Sequence, residues 1–505
     1  MLRWIVLFLS AVSVVIAADS LDDARAQLLA GRTDAAIGLL RGLVAKDPSA
    51  VEPSVLLAET LLNQERFDEA DEAVDAALTK HPSEAGLQRV LGDLRYREGR
   101  IFDADKAYKA AIKADSQNAL AIYGISRVFQ ASCLRKKAFE MLRVAHAIDF
   151  HDPRIADAFY AADRRSQPAI ARMEAELARQ QSANGGKADQ DLIRLLKRWI
   201  AEAKALDGKP DFEPASAGQQ YRIPLGRAMD GRRLTGATLP IRINDAKADL
   251  RLDTGAGGIT LGSRFAEKAG IQRLADTEFG GIGNGPAVKG WVGYAPSIRI
   301  GSLEFKNCLV DVPEKGSVDD SGGLIGSDIF RRFLVKINWV GQTLDLDPLP
   351  GPSWDGHTLV DRYDGPELAG YSQILILHHD LLIPTLISES TKAEQTPSLF
   401  LVDTGANTNM ISTNLAPEIT KLHGSDVRVR GVSGKVKMVY DADKVVVQFA
   451  TFRQQIRDLT SFDLRNISRG TGAEVGGIMG LPLIGMFQSV TIDYRDGRIQ
   501  FDYKP

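Results

Sequence analysis

Two tripeptides carry the clearest chemistry: Asp253-Thr254-Gly255 and Asp403-Thr404-Gly405, each directly after an apolar run, Ala248–Leu252 in the first case and Ser398–Val402 in the second. Two carboxyl groups delivered by equivalent loops can share one proton, because like charges at short range cannot both ionise cheaply. Such a pair titrates as a unit, with one low and one raised macroscopic pKa. The ionised member can take a proton from water while the protonated member gives its own to a carbonyl oxygen. That is hydrolysis without a metal, a cofactor or a covalent intermediate, and none of these is expected here.

Other constellations are weaker. His378-His379-Asp380 lacks the helical spacing of a zinc motif and reads as a polar turn between strands. Gly281-Ile-Gly-Asn-Gly285 lacks the third glycine and the strand-to-helix setting of a nucleotide loop. No Gly-x-Ser-x-Gly elbow supports a serine nucleophile.

The elements that must position the two aspartates come as two copies of one pattern. In the first, Leu239–Asn244 leads through Ala248–Leu252 into Asp253; in the second, Leu382–Ile387 leads through Ser398–Val402 into Asp403. Each copy continues with a Gly-rich hairpin candidate, Gly280–Gly285 or Arg430–Lys435, and then an apolar-apolar-Gly turn, Leu324-Ile-Gly326 or Ile478-Met-Gly480. A helix-like turn and a last strand follow, Phe333–Ile337 or Ser489–Asp493. Short alternating apolar runs broken by Gly, Asn and Asp mark this whole C-terminal region as mostly β.

The order of apolar strand, Asp-Thr-Gly-Ala, hairpin and apolar-apolar-Gly resembles the retroviral-type aspartic proteases, and two copies on one chain resemble the bilobal pepsin arrangement. The resemblance covers a little over half of the protein. It implies that Asp253 and Asp403 meet across a pseudo-twofold axis as interchangeable general acid and base, acting on a peptide or protein substrate. It implies that Thr254 and Thr404 are buried, each hydroxyl bonding the backbone of the opposite loop, and that Gly255 and Gly405 leave room for main-chain N–H groups to reach the carboxylates. Gly326 and Gly480 are expected to let the turn beneath each loop pack closely. The glycines Gly281, Gly283 and Gly285, and Gly431 and Gly434, are expected in two flaps closing over an extended peptide. Two Gly-rich flaps are more like the symmetric retroviral dimer than like pepsin, whose single flap bears a tyrosine. Val288, Trp291 and Met438 are candidates for apolar subsites.

Ahead of this region the sequence repeats at a period of 34 residues, seen in the columns Ala36, Ala70, Ala104, Ala138 and Leu43, Ala77, Ala111, Ala145. Small residues let paired helices approach, while Leu40, Val74, Tyr108 and Leu142 fill the space beside them. The pattern resembles the tetratricopeptide repeat, a stacked α-solenoid that implies protein or peptide binding, although a rigid spacer or a dimerisation arm fits the same residues. The fourth unit carries Cys133, Arg135 and Phe150 where Gly, an aromatic and Pro are expected, and reads as a degenerate cap. A further helix is expected over Lys187–Leu206, from the spacing of Leu192, Leu195, Leu196, Trp199 and Ile200, with Gly208 and Pro210 ending it.

The expected organisation is therefore an N-terminal α-solenoid followed by a mostly-β bilobal acid-protease domain. Its segments are a signal peptide at 1–18, helical repeats at 20–180, a helix and linker at 181–220, lobe 1 at 221–350, a connector at 351–370 and lobe 2 at 371–505. A length of 505 residues fits about three domains. The net charge of −3 gives no basic excess for nucleic acid. Arg3, the apolar run Trp4–Ile16 and the small Ala17 and Ala18 read as an export signal, so a periplasmic or secreted location is expected; an uncleaved N-terminal anchor is the alternative reading of the same run, and no other membrane contact is expected. Two cysteines cannot form a disulfide framework, so packed cores must supply stability. The residues leave one reading of another class open: a non-catalytic peptide- or protein-binding scaffold with the same fold. They also leave open an active unit completed by a second molecule.

Overall fold

A computed structural model of the chain describes residues 20–162, 167–182, 190–231, 233–314, 322–457 and 459–503. The expected signal peptide at 1–18 lies outside the described residues, as does the expected start of the last helix at Lys187. The chain divides into two compact units, one of the described residues up to Leu94 with Lys106–Asn118, the other of Arg95–Asp105 with everything described from Ala119 onward.

Eight helices alternate through the repeat region: α1 (Leu21–Leu29), α2 (Thr33–Lys46), α3 (Val51–Asn63), α4 (Phe67–Lys80), α5 (Ala85–Arg97), α6 (Ile101–Ala114), α7 (Ala119–Ala131) and α8 (Arg135–Ile148). Three more follow: α9 (Pro153–Ala162), α10 (Gln167–Ser182) and α11 (Gln190–Leu206). Ser20 starts the series with a capping box, its hydroxyl accepting from the Asp23 amide while the Asp23 carboxylate accepts from the Ser20 amide. The alanine column occupies the same turn of every second helix and is buried at all four positions. In the first unit, Gly92 faces the ring of Tyr108, where a Cβ would lie 2.5 Å from ring carbons. The Tyr108 hydroxyl donates to Asp93 at 2.8 Å. The interhelix turns also keep the period, for Gly31, Glu65, Gly99 and Cys133 all adopt positive φ. A glycine takes that conformation freely, whereas Glu65 and Cys133 need a compensating reason.

For Cys133 the reason lies within the second unit, and it corrects the expectation of a cap. Its thiol is fully buried, and a Cβ on Gly497 would lie 2.9 Å from its Sγ. Arg135 donates to the carbonyls of Tyr494 at 2.8 Å and Arg495 at 2.6 Å. The fourth hairpin is thus docked on the C-terminal β region, and its departures from the repeat pattern are the contact residues.

Among the described residues the β region is built from three large sheets and a two-stranded one, 430–431 with 434–435. Nine strands form lobe 1, in the order 213–214, 303–313, 259–261, 323–326, 246–253, 233–243, 288–300, 272–279, with 226–230 paired to 233–243. Ten form lobe 2, in the order 422–424, 440–442, 459–462, 409–412, 477–479, 396–402, 380–388, 445–449, 452–456, with 375–377 paired to 380–388. A six-stranded sheet joins the lobes through the antiparallel pair 333–338 and 489–493. Period-2 patterning places these strands: Leu239, Ile241 and Ile243 are buried, while Pro240 and Arg242 face out. Two-residue turns set the register at Asn244-Asp245, Gly301-Ser302, His378-His379 and Ala450-Thr451, each with positive φ at its first residue.

The stretch 210–220, expected to be a linker, is woven into lobe 1. Glu213–Pro214 adds an edge strand against Phe305–Lys306, and Phe212 is buried edge-on to Phe305. The apolar face of α11 packs on α10 through Leu196, Ile200, Ile170 and Met173, which turns its polar face toward lobe 1. The connector crosses the turn at 493–497, where buried Arg495 donates to the carbonyls of Pro350 and Pro352.

Candidate active site

Each Asp-Thr-Gly loop leaves the end of a strand that is paired in parallel with its apolar-apolar-Gly segment. Leu324–Gly326 runs beside Arg251–Asp253, and Gly477–Met479 beside Phe400–Val402. Both support glycines sit where a side chain has no room. A Cβ on Gly326 would lie 2.4 Å from the Ala256 carbonyl oxygen, and one on Gly480 would lie 2.3 Å from that of Thr408. The Gly326 amide donates to Gly258 at 2.7 Å and the Gly480 amide to Asn409 Oδ1 at 3.0 Å.

The two loops interlock through their threonines. The Thr254 amide donates to Thr404 Oγ1 at 3.1 Å and the Thr404 amide to Thr254 Oγ1 at 3.0 Å. The hydroxyls donate onward, Thr254 to the Val402 carbonyl at 2.6 Å and Thr404 to that of Leu252 at 3.1 Å. Both threonines are buried, so each bond is protected from competing water.

This brings Asp253 and Asp403 into hydrogen-bonding contact. The Gly255 amide donates to Asp253 Oδ1 at 2.9 Å, and those of Gly405 and Ala406 donate to Asp403 Oδ1 at 2.7 and 3.1 Å. The glycines also let each carboxyl reach the opposite loop. A Cβ on Gly255 would lie 2.7 Å from Asp403 Cγ, and one on Gly405 2.3 Å from Asp253 Oδ2. Burial and then the negative charge of Asp253 hold the Asp403 carboxyl well above the usual carboxylate range. Asp253 is raised as well, by desolvation, but the hydrogen bond from Asp403, the Gly255 amide, Arg251 and His379 all oppose the rise. The pair therefore keeps one proton beyond the pH at which free carboxyls lose theirs.

The glycine-rich hairpins meet above the carboxyls. The Gly285 amide donates to the Ser433 carbonyl at 2.8 Å, the Ser433 amide to Ile282 at 3.0 Å, and the Asn284 amide to Lys435 at 3.2 Å. Their glycines mark close approach: a Cβ would meet Val432 from Gly281, Ser433 from Gly283 and Gly285, and Ile282 from Gly431, all within 3 Å. Gly434 turns its hairpin at φ 90°. Beneath this roof lies a cleft of about 2070 Å³, larger than the roughly 300–1,000 Å³ of small-molecule pockets.

Of the proposed apolar subsites, none lines the cleft. Trp291 is buried under the Arg273 guanidinium, 5.5 Å from its ring, and Met438 is exposed on the outside. The apolar lining comes instead from Ile282, Leu324, Met410 and Val432. Sequence reasoning missed the polar lining. Arg198 and Glu202 reach the cleft from α11, with Arg198 bonding Glu202 at 2.7 Å and Asp311 at 3.0 Å. Asp328, two residues after Gly326, accepts from the Gly258 amide at 2.9 Å and buttresses the first loop. Lobe 2 has Pro482 at the matching position, so a comparison of the two copies could have singled out Asp328. Nothing in the sequence pointed to α11, whose role depends on where the chain returns. Among the described residues no group of three His, Cys, Asp or Glu side chains could hold a metal ion, and no helix is long and apolar enough to cross a membrane.

Residues 239–329 match the aspartyl protease family, and residues 27–94 match the tetratricopeptide repeat. The DNA damage-inducible protein 1 of Neurospora crassa is 34% identical over 108 residues, covering 21% of this chain and 24% of that protein. The protein of the same name from Cryptococcus neoformans is 30% identical over 124 residues, 24% of this chain and 28% of its own length. The UBA domain-containing protein Mud1 of Schizosaccharomyces pombe is 36% identical over 109 residues, 21% and 31% of the two chains. The chain thus spans 24 to 31% of the length of these curated relatives.

Proposed function

We propose that this chain, which carries an aspartyl protease domain over residues 239–329, is an endopeptidase in which Asp253 and Asp403 hydrolyse peptide bonds through a shared water molecule. The observation that carries the reading is the pair of carboxyls, each held by the amides of its own loop and brought together by the threonine interlock, beneath a closed two-hairpin roof. Ionised Asp253 acts as general base on the water, which attacks the peptide carbonyl. Asp403 gives its proton to the carbonyl oxygen, and the resulting tetrahedral adduct collapses as a proton passes to the leaving nitrogen. The cleft floor, rigid through the threonine interlock, presets the geometry of attack.

The test is cleavage of a denatured protein by the purified chain from about pH 3 to about pH 8, beside Asp253→Asn and Asp403→Asn. Loss of turnover in either variant, with the fold kept, supports an intramolecular pair, and a statine-type transition-state mimic should then bind more tightly than the matching substrate peptide. A folded wild type without activity at any of these pH values would overturn the reading in favour of a binding scaffold.

The repeats are read as the recruiting part, for a substrate or a partner protein. Deleting the first two hairpins should slow cleavage of native targets but not of a short peptide; equal rates on both would remove this role. Export is read from Arg3, the apolar run to Ile16, and Ala17-Ala18. It predicts a mature N-terminus close after Ala18 in protein recovered from outside the cytoplasm.

A further inference from the structure

We propose that His379 of lobe 2 is a cross-lobe positioning residue that, in its protonated form, holds Asp253 as the ionised member of the carboxyl pair. The inference rests on the reading of Asp253 and Asp403 as the reacting groups.

His379 is the second residue of a two-residue turn whose first, His378, takes φ 58°, and this places the imidazole in the cleft. It lies directly on the first Asp-Thr-Gly loop, where a Cβ on Gly257 would stand 2.8 Å from His379 Cγ and 3.0 Å from Nδ1. The second loop carries Asn407 at the position matching Gly257, so the two halves differ at this point. Asp380 steers the ring from below. Its Oδ1 is 3.5 Å from His379 Nε2, and its Oδ2 accepts from Thr471 Oγ1 at 2.7 Å. The imidazole is 44% exposed, so it meets solvent as well as the first loop.

The charges that face it come mostly from lobe 1. Asp253, Asp311 and Asp328 are all within its electrostatic reach. Asp311 is already answered by Arg198, and Arg331 lies near Asp328 but bonds Asp211 at 2.7 Å. Arg251 also acts on Asp253, while Asp380 and the neighbouring His378 share the turn with His379. An imidazolium here therefore adds a cation on the side of the first loop, which carries Asp253. Asp403 is held instead by two backbone amides, those of Gly405 and Ala406. The effect is to break the symmetry of the pair and fix where its proton resides.

The experiment follows the carboxyl titration directly, by carbon NMR of aspartate-labelled full-length chain, in the wild type, His379→Asn and His379→Lys, with Asp253→Asn assigning the lower step. The lower step should move up by roughly half a pH unit or more in His379→Asn. It should return toward the wild-type position in His379→Lys, which restores a cation. Reciprocally, the His379 titration in otherwise wild-type protein should move down in Asp253→Asn. This second measurement needs no change at His379 and decides the matter if His379→Asn fails to fold. Unchanged titration of the pair in a folded His379→Asn, or of His379 in Asp253→Asn, overturns the inference. A wild type that cleaves nothing but whose lower step still moves in His379→Asn would sink the peptidase reading and leave the coupling standing.

Discussion

Thr254 and Thr404 exchange identical bonds across the lobe boundary: the hydroxyl of each accepts the amide of the other and donates to the carbonyl just before the other's aspartate. Neither lobe can shift without breaking four buried hydrogen bonds, so the separation of the two carboxyls is set by backbone contacts and not by the carboxyls themselves.

Thr254→Val keeps the shape of the side chain and deletes the hydroxyl, leaving the Val402 carbonyl and the Thr404 amide unpaired in a dry interface. The expected cost is about 2–4 kcal/mol, read from urea denaturation, with Thr254→Ser costing about 1 kcal/mol or less.

Gly255→Ala places a methyl group 2.7 Å from Asp403 Cγ, so the carboxyls must separate. Turnover should fall on the order of 100-fold, with a smaller change in KM, since displacements of about an ångström are enough for such losses. Gly424→Ala is the control, because a Cβ there meets nothing within 4 Å.

Asp493 lies in the turn on which the fourth hairpin docks. Burial and then the charge of Asp496 raise its carboxyl to about 7, and its Oδ2 has no hydrogen-bond partner. A folded-state pKa above the unfolded value near 3.9 means that the native state binds the extra proton. Its stabilising effect is full below about pH 4 and is lost as pH rises through about 7. Asp493→Asn has no such proton to lose. The variant should gain on the wild type by roughly a few kcal/mol between about pH 4 and pH 7.5, and equal pH slopes in denaturant titrations would contradict this.

Arg135→Ala removes both donations to the 494–495 carbonyls. We expect a loss of roughly 2–4 kcal/mol, seen as a lower thermal midpoint and faster proteolysis at the α7–α8 turn. Arg135→Lys should recover only part, because one ammonium does not reproduce the guanidinium fork.

The local layer of this protein was legible from its residues. The 34-residue period located the helical hairpins, because helix packing demands small residues at fixed places. The two copies of strand, Asp-Thr-Gly and apolar-apolar-Gly located the loops, since each glycine answers a contact made nearby in the fold. The flap glycines could be named from the family resemblance, although what they approach is the opposite flap.

What the tertiary structure alone decided are the contacts between segments distant in the chain. Cys133 and Arg135 looked like decay of a repeat, but their partners lie some 360 residues away at Tyr494–Gly497. Likewise α11 looked like a linker helix until its polar face was found along the cleft, and His379 looked like a turn residue until it was found against Gly257. The amino-acid sequence determined which segments form helices, strands and tight turns, because periodicity and backbone conformation are short-range properties. Where those segments meet depends on how the buried faces of both lobes and the last hairpin pack together. That long-range packing places a histidine from one lobe against Gly257, in the loop that carries the aspartate of the other.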